Sequence, residues 1–124
     1  MRQDNLYLND IVEAVDAILH FIADAPEEQF LWDDLVQAAV LQKTIVIGEA
    51  AARISPELKV KYPNVPWSDI IGFRNIAVHA YFSVDWSIVW VTTQQDAPQL
   101  REQIVEILAV EFPQGSDPTS ETTS

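Results

Sequence analysis

Apolar residues recur with helical spacing along most of the chain, and this periodicity is the feature that most constrains its fold. From about Leu6 to Ala23, apolar side chains follow one another at i, i+4, i+7 and i+11, namely at Ile11, Val15, Ile18 and Ile22. This spacing places them on one face of an α-helix. No segment shows a convincing strand-like alternation, and seven prolines mark the boundaries between segments. The sequence therefore predicts an all-α, up-and-down bundle of four to five helices.

The second helical segment runs from Pro26 to about Ile54, and an interruption near residues 32–34 is left open. Pro26 suits the first position of a helix because it lacks the N–H that would have no partner there. Two neighbouring faces of this segment are apolar, one formed by Leu35, Ala38, Ile45 and Ala52 and the other by Val36, Val40 and Ile47. A helix that is apolar over so much of its circumference is expected to pack on two sides.

The remaining helices are predicted from caps and prolines. Ser55 is expected to cap a short helix that begins at Pro56, and the third main helix covers about residues 67–81. Ser83 or Asp85 caps the last helix, which Pro98 restarts or kinks. The four tryptophans are predicted to lie in the core or in a dimer interface, at Trp32, Trp67, Trp86 and Trp90.

Small residues beside Gly48 are predicted to let another helix approach closely, because Ala50, Ala51 and Ala52 follow it. Glu49 lies inside this small-residue patch. A charged side chain there must be paired or must face a cavity. Arg74 and Arg53 are both candidate partners.

Charge and composition exclude several classes of protein. The chain has 19 acidic and seven basic residues, hence a formal net charge of −12, and it contains no cysteine. A thiol nucleophile and a cysteine-ligated metal site are therefore excluded. With only His20 and His79 present, no metal or cofactor is expected. No long apolar run or secretory signal is recognised, so the sequence predicts a soluble, cytoplasmic protein.

Two regions are expected along the chain. Residues 1–112 form the helical domain. Residues 113–124 are polar, acidic and nearly free of apolar side chains, and they are predicted to form a disordered tail.

The segment from Gly72 to Phe82 concentrates chemistry-bearing side chains in an otherwise apolar stretch. Arg74 offers a planar fork of donors for phosphate oxygens, and His79 can transfer a proton near neutral pH. Asn75 and Tyr81 add an amide and a hydroxyl. Arg74 and His79 are five residues apart, which separates them by about 140° around a regular helix. Either the helix ends near His79, or Arg74 reaches around it, or two chains contribute to one site.

The spacing of Arg74, His79 and Tyr81 resembles the Arg-x4-His-x-Tyr signature of HEPN domains, and specifically that of HepT-like ribonuclease toxins. Flanking blocks are also similar to this family, and they lie at residues 4–11, 47–51, 58–67, 81–85 and 89–90. The resemblance covers about residues 4–110.

This resemblance implies a helical homodimer in whose cleft the two motifs meet, and metal-independent cleavage of RNA by a toxin of a type VII-like toxin–antitoxin pair. It implies that Arg74 binds the scissile phosphate, that His79 is the general base or acid, and that Asn75 supports them. Tyr81 would be the tyrosine that a partner nucleotidyltransferase antitoxin modifies by AMPylation.

The acidic charge leaves a second interpretation open. A net charge of −12 does not favour binding to RNA. The basic residues in the middle of the chain would have to form a local positive cleft, and they are Lys43, Arg53, Lys59, Lys61 and Arg74. The alternative is a catalytically silent helical dimer that acts as a binding or regulatory subunit of a small nucleotidyltransferase.

Overall fold

A computed structural model describes residues 3–79 and 81–113, and it describes Ile76, His79 and Tyr81 by their backbone only. The described part contains helices and no strand. In chain order the helices are α1 (Asp4–Ile22), α2 (Glu27–Phe30), α3 (Asp34–Arg53), α4 (Pro56–Lys61), α5 (Trp67–His79) and α6 (Trp86–Glu111), with a 3-10 turn at Tyr81–Ser83. The four long helices form the bundle, which confirms the predicted all-α class.

Helix α3 is the central element of the bundle, because it packs against α1 on one side and α5 on another. Helix α1 also packs against α6. The largest fully buried side chains come from α1, α2, α3 and α6, and they are Leu8, Ile11, Val15, Phe30, Val40, Ile104 and Ile107. The apolar stripe predicted for the first helix is therefore part of the core.

Side-chain caps set several helix boundaries. The Asp33 carboxylate accepts hydrogen bonds from the backbone N–H groups of Leu35 and Val36, both at 3.1 Å. This cap separates α2 from α3, so the predicted interruption near residues 32–34 is confirmed. Ser55 caps α4 and Asp85 caps α6, as expected from the sequence.

The prediction that both apolar faces of α3 are packed is wrong for the face that contains Leu35. Leu35 is 80% exposed, and Ala38 and Ala52 are also exposed. The other apolar face is packed instead, with Val40 and Ile47 buried. Both faces have helical spacing, and the positions of α1 and α5 decide which of them is covered.

Three further predictions need correction. Trp32 is 83% exposed and so lies outside the core, while its place in a dimer interface stays a prediction; Trp67 is buried, and Trp86 and Trp90 pack around Phe30. Pro98 does not restart the last helix, since α6 continues through it.

Finally, α3 is long and apolar enough to cross a membrane by length and composition alone, although no such run was recognised in the sequence. Its packing between α1 and α5 matches that of a central bundle helix.

The predicted domain boundary stays a prediction. Helix α6 ends at Glu111, one residue before the expected end of the helical domain. Except for Pro113, the predicted tail lies outside the described residues.

Candidate active site

Arg74 lies on α5 and faces α3, where its guanidinium group meets a carboxylate. Its Nη1 donates a hydrogen bond of 2.6 Å to Oε1 of Glu49, and 23% of the Arg74 side chain is exposed. The stem of Arg74 reaches this position because Gly48 carries no side chain that would obstruct it. The close helix approach predicted at Gly48 is thus present, and the helix that approaches is α5.

Glu49 joins two arginines. Its second oxygen, Oε2, accepts a hydrogen bond of 3.2 Å from Nη1 of Arg53, one helical turn further along α3. The hydrogen bond from Arg74 is the largest influence that lowers the pKa of Glu49, and the charges of Arg74 and Arg53 lower it further. Both candidate partners from the sequence analysis therefore bind the same carboxylate, which stays ionised at neutral pH.

The guanidinium of Arg74 keeps donors for another group. Glu49 accepts a hydrogen bond from Nη1 and Nε is buried, but 23% of the side chain is exposed, so the donors that a phosphate can reach are on the Nη atoms. An arginine carries five N–H donors in a fixed planar arrangement that matches phosphate oxygens. Arg74 can thus bind Glu49 and a phosphate at the same time.

The other motif residues are placed by the backbone of α5. Asn75 is exposed. Helix α5 ends at His79, and Tyr81 begins the 3-10 turn that follows. The end of α5 at His79 agrees with the first of the three arrangements considered from the sequence, and the contribution of a second chain stays a prediction. The side chains of His79 and Tyr81 lie outside what the structure describes.

A shallow depression of about 220 Å³ lies beside Glu49, between α1 and α3. Its lining includes Tyr7 and Asp10 of α1 together with Glu49 and Arg53 of α3. This depression was not predicted from the sequence. The available signal was the position of Asp10, which lies off the centre of the apolar stripe of α1.

Four of the five basic residues of the middle of the chain lie near acidic partners. Arg53 and Arg74 share Glu49, and Nζ of Lys61 lies 2.9 Å from Oε2 of Glu111. Lys59 experiences the charge of Asp4. Each of these four cations therefore has part of its charge offset within the chain. In the described ranges, no group of three or more His, Cys, Asp or Glu side chains is arranged to hold a metal ion.

The chain is a helical bundle that carries Arg74 and His79 on α5, and comparison with known proteins identifies its family. The family model described as "Ribonuclease HepT-like" matches residues 11–107. The chain therefore belongs to the HepT-like ribonuclease family. The matched range includes Gly48, Glu49 and all four residues of the candidate motif.

Individual relatives agree with this assignment. The chain is 38% identical over 100 residues to "Probable ribonuclease HepT" of Thermococcus cleftensis, with 81% of this chain and 91% of the relative covered. It is 31% identical over 103 residues to "Putative RNase MJ1380" of Methanocaldococcus jannaschii, with 83% and 94% covered. It is also 31% identical over 111 residues to "Putative RNase TTE0752" of Caldanaerobacter subterraneus, with 90% and 99% covered. No solved structure gives a significant match.

Proposed function

We propose that the protein is a metal-independent endoribonuclease whose active site contains Arg74 and His79. The observation that carries this proposal is Arg74 itself, which is held by Glu49 in a chain of the HepT-like ribonuclease family and retains donors for a phosphate. RNA is the substrate class, and the cytoplasm is the compartment in which such a substrate would be met.

The proposed reaction needs one charge-stabilising group and one proton-transferring group. His79 takes the proton from a ribose 2′-hydroxyl, whose oxygen then attacks the adjacent phosphorus and displaces the 5′-oxygen of the next nucleotide. The leaving 5′-oxygen receives a proton from water, His79 returns the proton it took to the solvent, and the other product is a 2′,3′-cyclic phosphate. Arg74 stabilises the negative charge that develops on the phosphate oxygens. Asn75 would help to orient these groups.

We also propose that two copies of the chain build this site. Arg74 and His79 are five positions apart along α5, so the two side chains start on different sides of the helix. A two-fold axis would bring a second copy of each group nearby. Exposed apolar side chains on α5 and in the first turns of α6 support a dimer contact, since Val78 is 50%, Ile88 59% and Val91 46% exposed.

The test of the enzyme proposal uses the two histidines as a matched pair. The wild type, Arg74→Ala, His79→Ala and His20→Ala are incubated with total tRNA and a generic RNA in EDTA. His20 is an exposed residue of α1, so His20→Ala should cleave RNA like the wild type. We expect Arg74→Ala and His79→Ala each to lower the rate by about 100-fold or more. Full activity in both variants would refute the site.

Tyr81 is proposed as the target of AMPylation by a partner nucleotidyltransferase antitoxin. The added group would bring bulk and negative charge next to Arg74 and His79, which opposes the binding of RNA. Co-expression with the nucleotidyltransferase should raise the mass of the wild type by multiples of an AMP unit and leave Tyr81→Phe unmodified. An equal mass increase in Tyr81→Phe would place the modification at another residue.

The silent binding subunit remains the second candidate because the charge of the chain favours it. The net charge is −12, and Lys61, Arg53 and Arg74 all contact carboxylates of the same chain. Unmodified wild type that cleaves no RNA, is harmless when expressed alone and yet binds the nucleotidyltransferase tightly would favour this function. Toxicity without the partner would favour the ribonuclease.

A further inference from the structure

Gly48 brings α3 against the stem of Arg74. A Cβ atom added to Gly48 would lie 2.2 Å from Cβ and 2.7 Å from Cγ of Arg74, and 3.3 Å from the carbonyl oxygen of Ile70. Distances of this kind are too short for any side chain to fit without displacement of α5. Since the obstructing atoms are the first two carbons of Arg74 and a backbone oxygen, a rotation at the end of the arginine would not relieve the contact. Gly48 therefore determines where the Arg74 stem leaves α5.

Glu49, the next residue of α3, holds the other end of the same side chain. The 2.6 Å hydrogen bond from Nη1 to Oε1 is charge-assisted and fixes the direction of the guanidinium. Arg53 binds the second oxygen of Glu49 and thereby restrains the carboxylate itself. Two consecutive residues thus restrain both ends of Arg74.

We infer that Gly48 and Glu49 are positioning residues that hold the Arg74 guanidinium in one place and orientation before a phosphate binds. The inference rests on the proposed role of Arg74 in RNA cleavage. An unrestrained arginine loses about 2 kcal/mol of rotamer entropy when it is ordered, and a donor that is ordered in advance avoids this loss in the transition state.

The charge of the cluster is compatible with a positioning role. Two guanidinium groups and one carboxylate leave a net charge of +1 at Arg53, Glu49 and Arg74, but Asp10 also lines the depression beside Glu49 and Arg53. The attraction of a phosphate therefore depends on the guanidinium of Arg74 itself, because the chain as a whole is strongly acidic. A phosphate would reach the exposed part of the Arg74 side chain, which is 23% of it, whereas the Nε donor is buried.

The kinetic test compares Glu49→Gln and Glu49→Ala with Asp16→Asn. Asp16 is a matched control because it also binds an arginine, Arg101, at 2.5 Å, and because its replacement changes the net charge by the same amount as Glu49→Gln. We expect kcat for RNA cleavage to fall about 10-fold in Glu49→Gln and up to about 100-fold in Glu49→Ala, with KM changed by about twofold or less. Asp16→Asn should match the wild type.

The structural test is independent of cleavage. The chain has four arginines, and among those described the buried Nε–H of Arg74 should exchange slowly with water. In ¹⁵N NMR spectra of the wild type and of Asp16→Asn, the Nε–H signal of Arg74 should be sharp. The signal is assigned by its absence from the spectrum of Arg74→Lys. In Glu49→Ala the signal should shift and broaden, while the thermal unfolding midpoint stays close to that of the wild type.

The outcomes separate the inference from the proposed function. An unchanged Arg74 signal in Glu49→Ala would overturn the inference, whatever the cleavage rates are. Tighter RNA binding together with faster cleavage in Glu49→Gln would also overturn it, because Glu49 would then compete with RNA for Arg74. A wild type that cleaves no RNA would refute the proposed function, whereas the NMR comparison would still decide whether Glu49 holds Arg74.

Discussion

Helix α5 meets its two neighbours in different ways. On the side of α3 the contact is tight, and Gly48 leaves no room for one additional methyl group beside Arg74. On the side of α6 there is a cavity of about 360 Å³, whose lining includes Phe73 of α5 and Ala97 and Leu100 of α6. The difference indicates that close packing is concentrated where it determines the position of the candidate catalytic arginine. Substitutions on the two sides of α5 should therefore have opposite effects.

The largest effect is expected for Gly48→Ala, on the tight side. The added Cβ would overlap the Arg74 stem, so α5 must move away from α3, at a cost of about 1–3 kcal/mol in the free energy of unfolding. Chemical denaturation measures this loss, and an RNA cleavage assay should show a decrease beyond that due to the unfolded fraction. Stability and cleavage equal to those of the wild type would show that the α3–α5 contact is not tight.

The opposite change is expected for Ala97→Leu, on the open side. Ala97 is 9% exposed and lines the cavity, so a larger apolar side chain can enter space that no protein atom occupies. Burial of the added carbon atoms should stabilise the fold by about 1 kcal/mol. A matched Ala51→Leu variant, at a fully buried position of α3, should be destabilised instead. Equal losses in both variants would mean that the α6 side is as closely packed as the α3 side.

A smaller gain is expected for Gly72→Ala, which is the control for Gly48→Ala within the same helix pair. Gly72 lies in the middle of α5, and a Cβ atom there would meet nothing within 4 Å. Alanine removes the entropic cost of a glycine inside a helix, so the variant should be more stable by about 0.5–1 kcal/mol. A destabilised Gly72→Ala would contradict the open surroundings of this residue.

These contrasts show what sequence reasoning could and could not predict. Helical spacing predicted the main helices. The small residues that follow Gly48 predicted that another helix approaches closely there. The same spacing could not choose between the Leu35 face and the Val40 face of α3, since both are apolar and only the neighbouring helices decide. It also left open which arginine binds Glu49, because Arg53 is a neighbour along the helix whereas Arg74 arrives through tertiary packing. The motif residues themselves were assigned from a family resemblance.

The beginning of α5 is nevertheless linked to α6, by polar contacts from the segment that precedes it. Tyr62 Oη donates a hydrogen bond of 2.6 Å to Oε2 of Glu111, and Gln103 Nε2 donates one of 3.1 Å to the carbonyl oxygen of Asn64. The hydrogen bond to Glu111 is the main reason why the pKa of Tyr62 is raised from 10.0 to about 12.

This link gives the smallest predicted effect, which is a dependence of stability on alkaline pH. A group whose pKa is higher in the folded state stabilises the fold fully below its unfolded pKa and loses this contribution as the pH rises through the folded pKa. The wild type should therefore have a higher unfolding midpoint than Tyr62→Phe below pH 10, and the difference should disappear as the pH approaches about 12. Tyr7→Phe is the comparison variant, and Tyr7 lines the depression beside Glu49. A midpoint difference for Tyr62→Phe that is constant up to pH 12 would mean that Tyr62 contributes through packing, and that its hydrogen bond to Glu111 adds no stability.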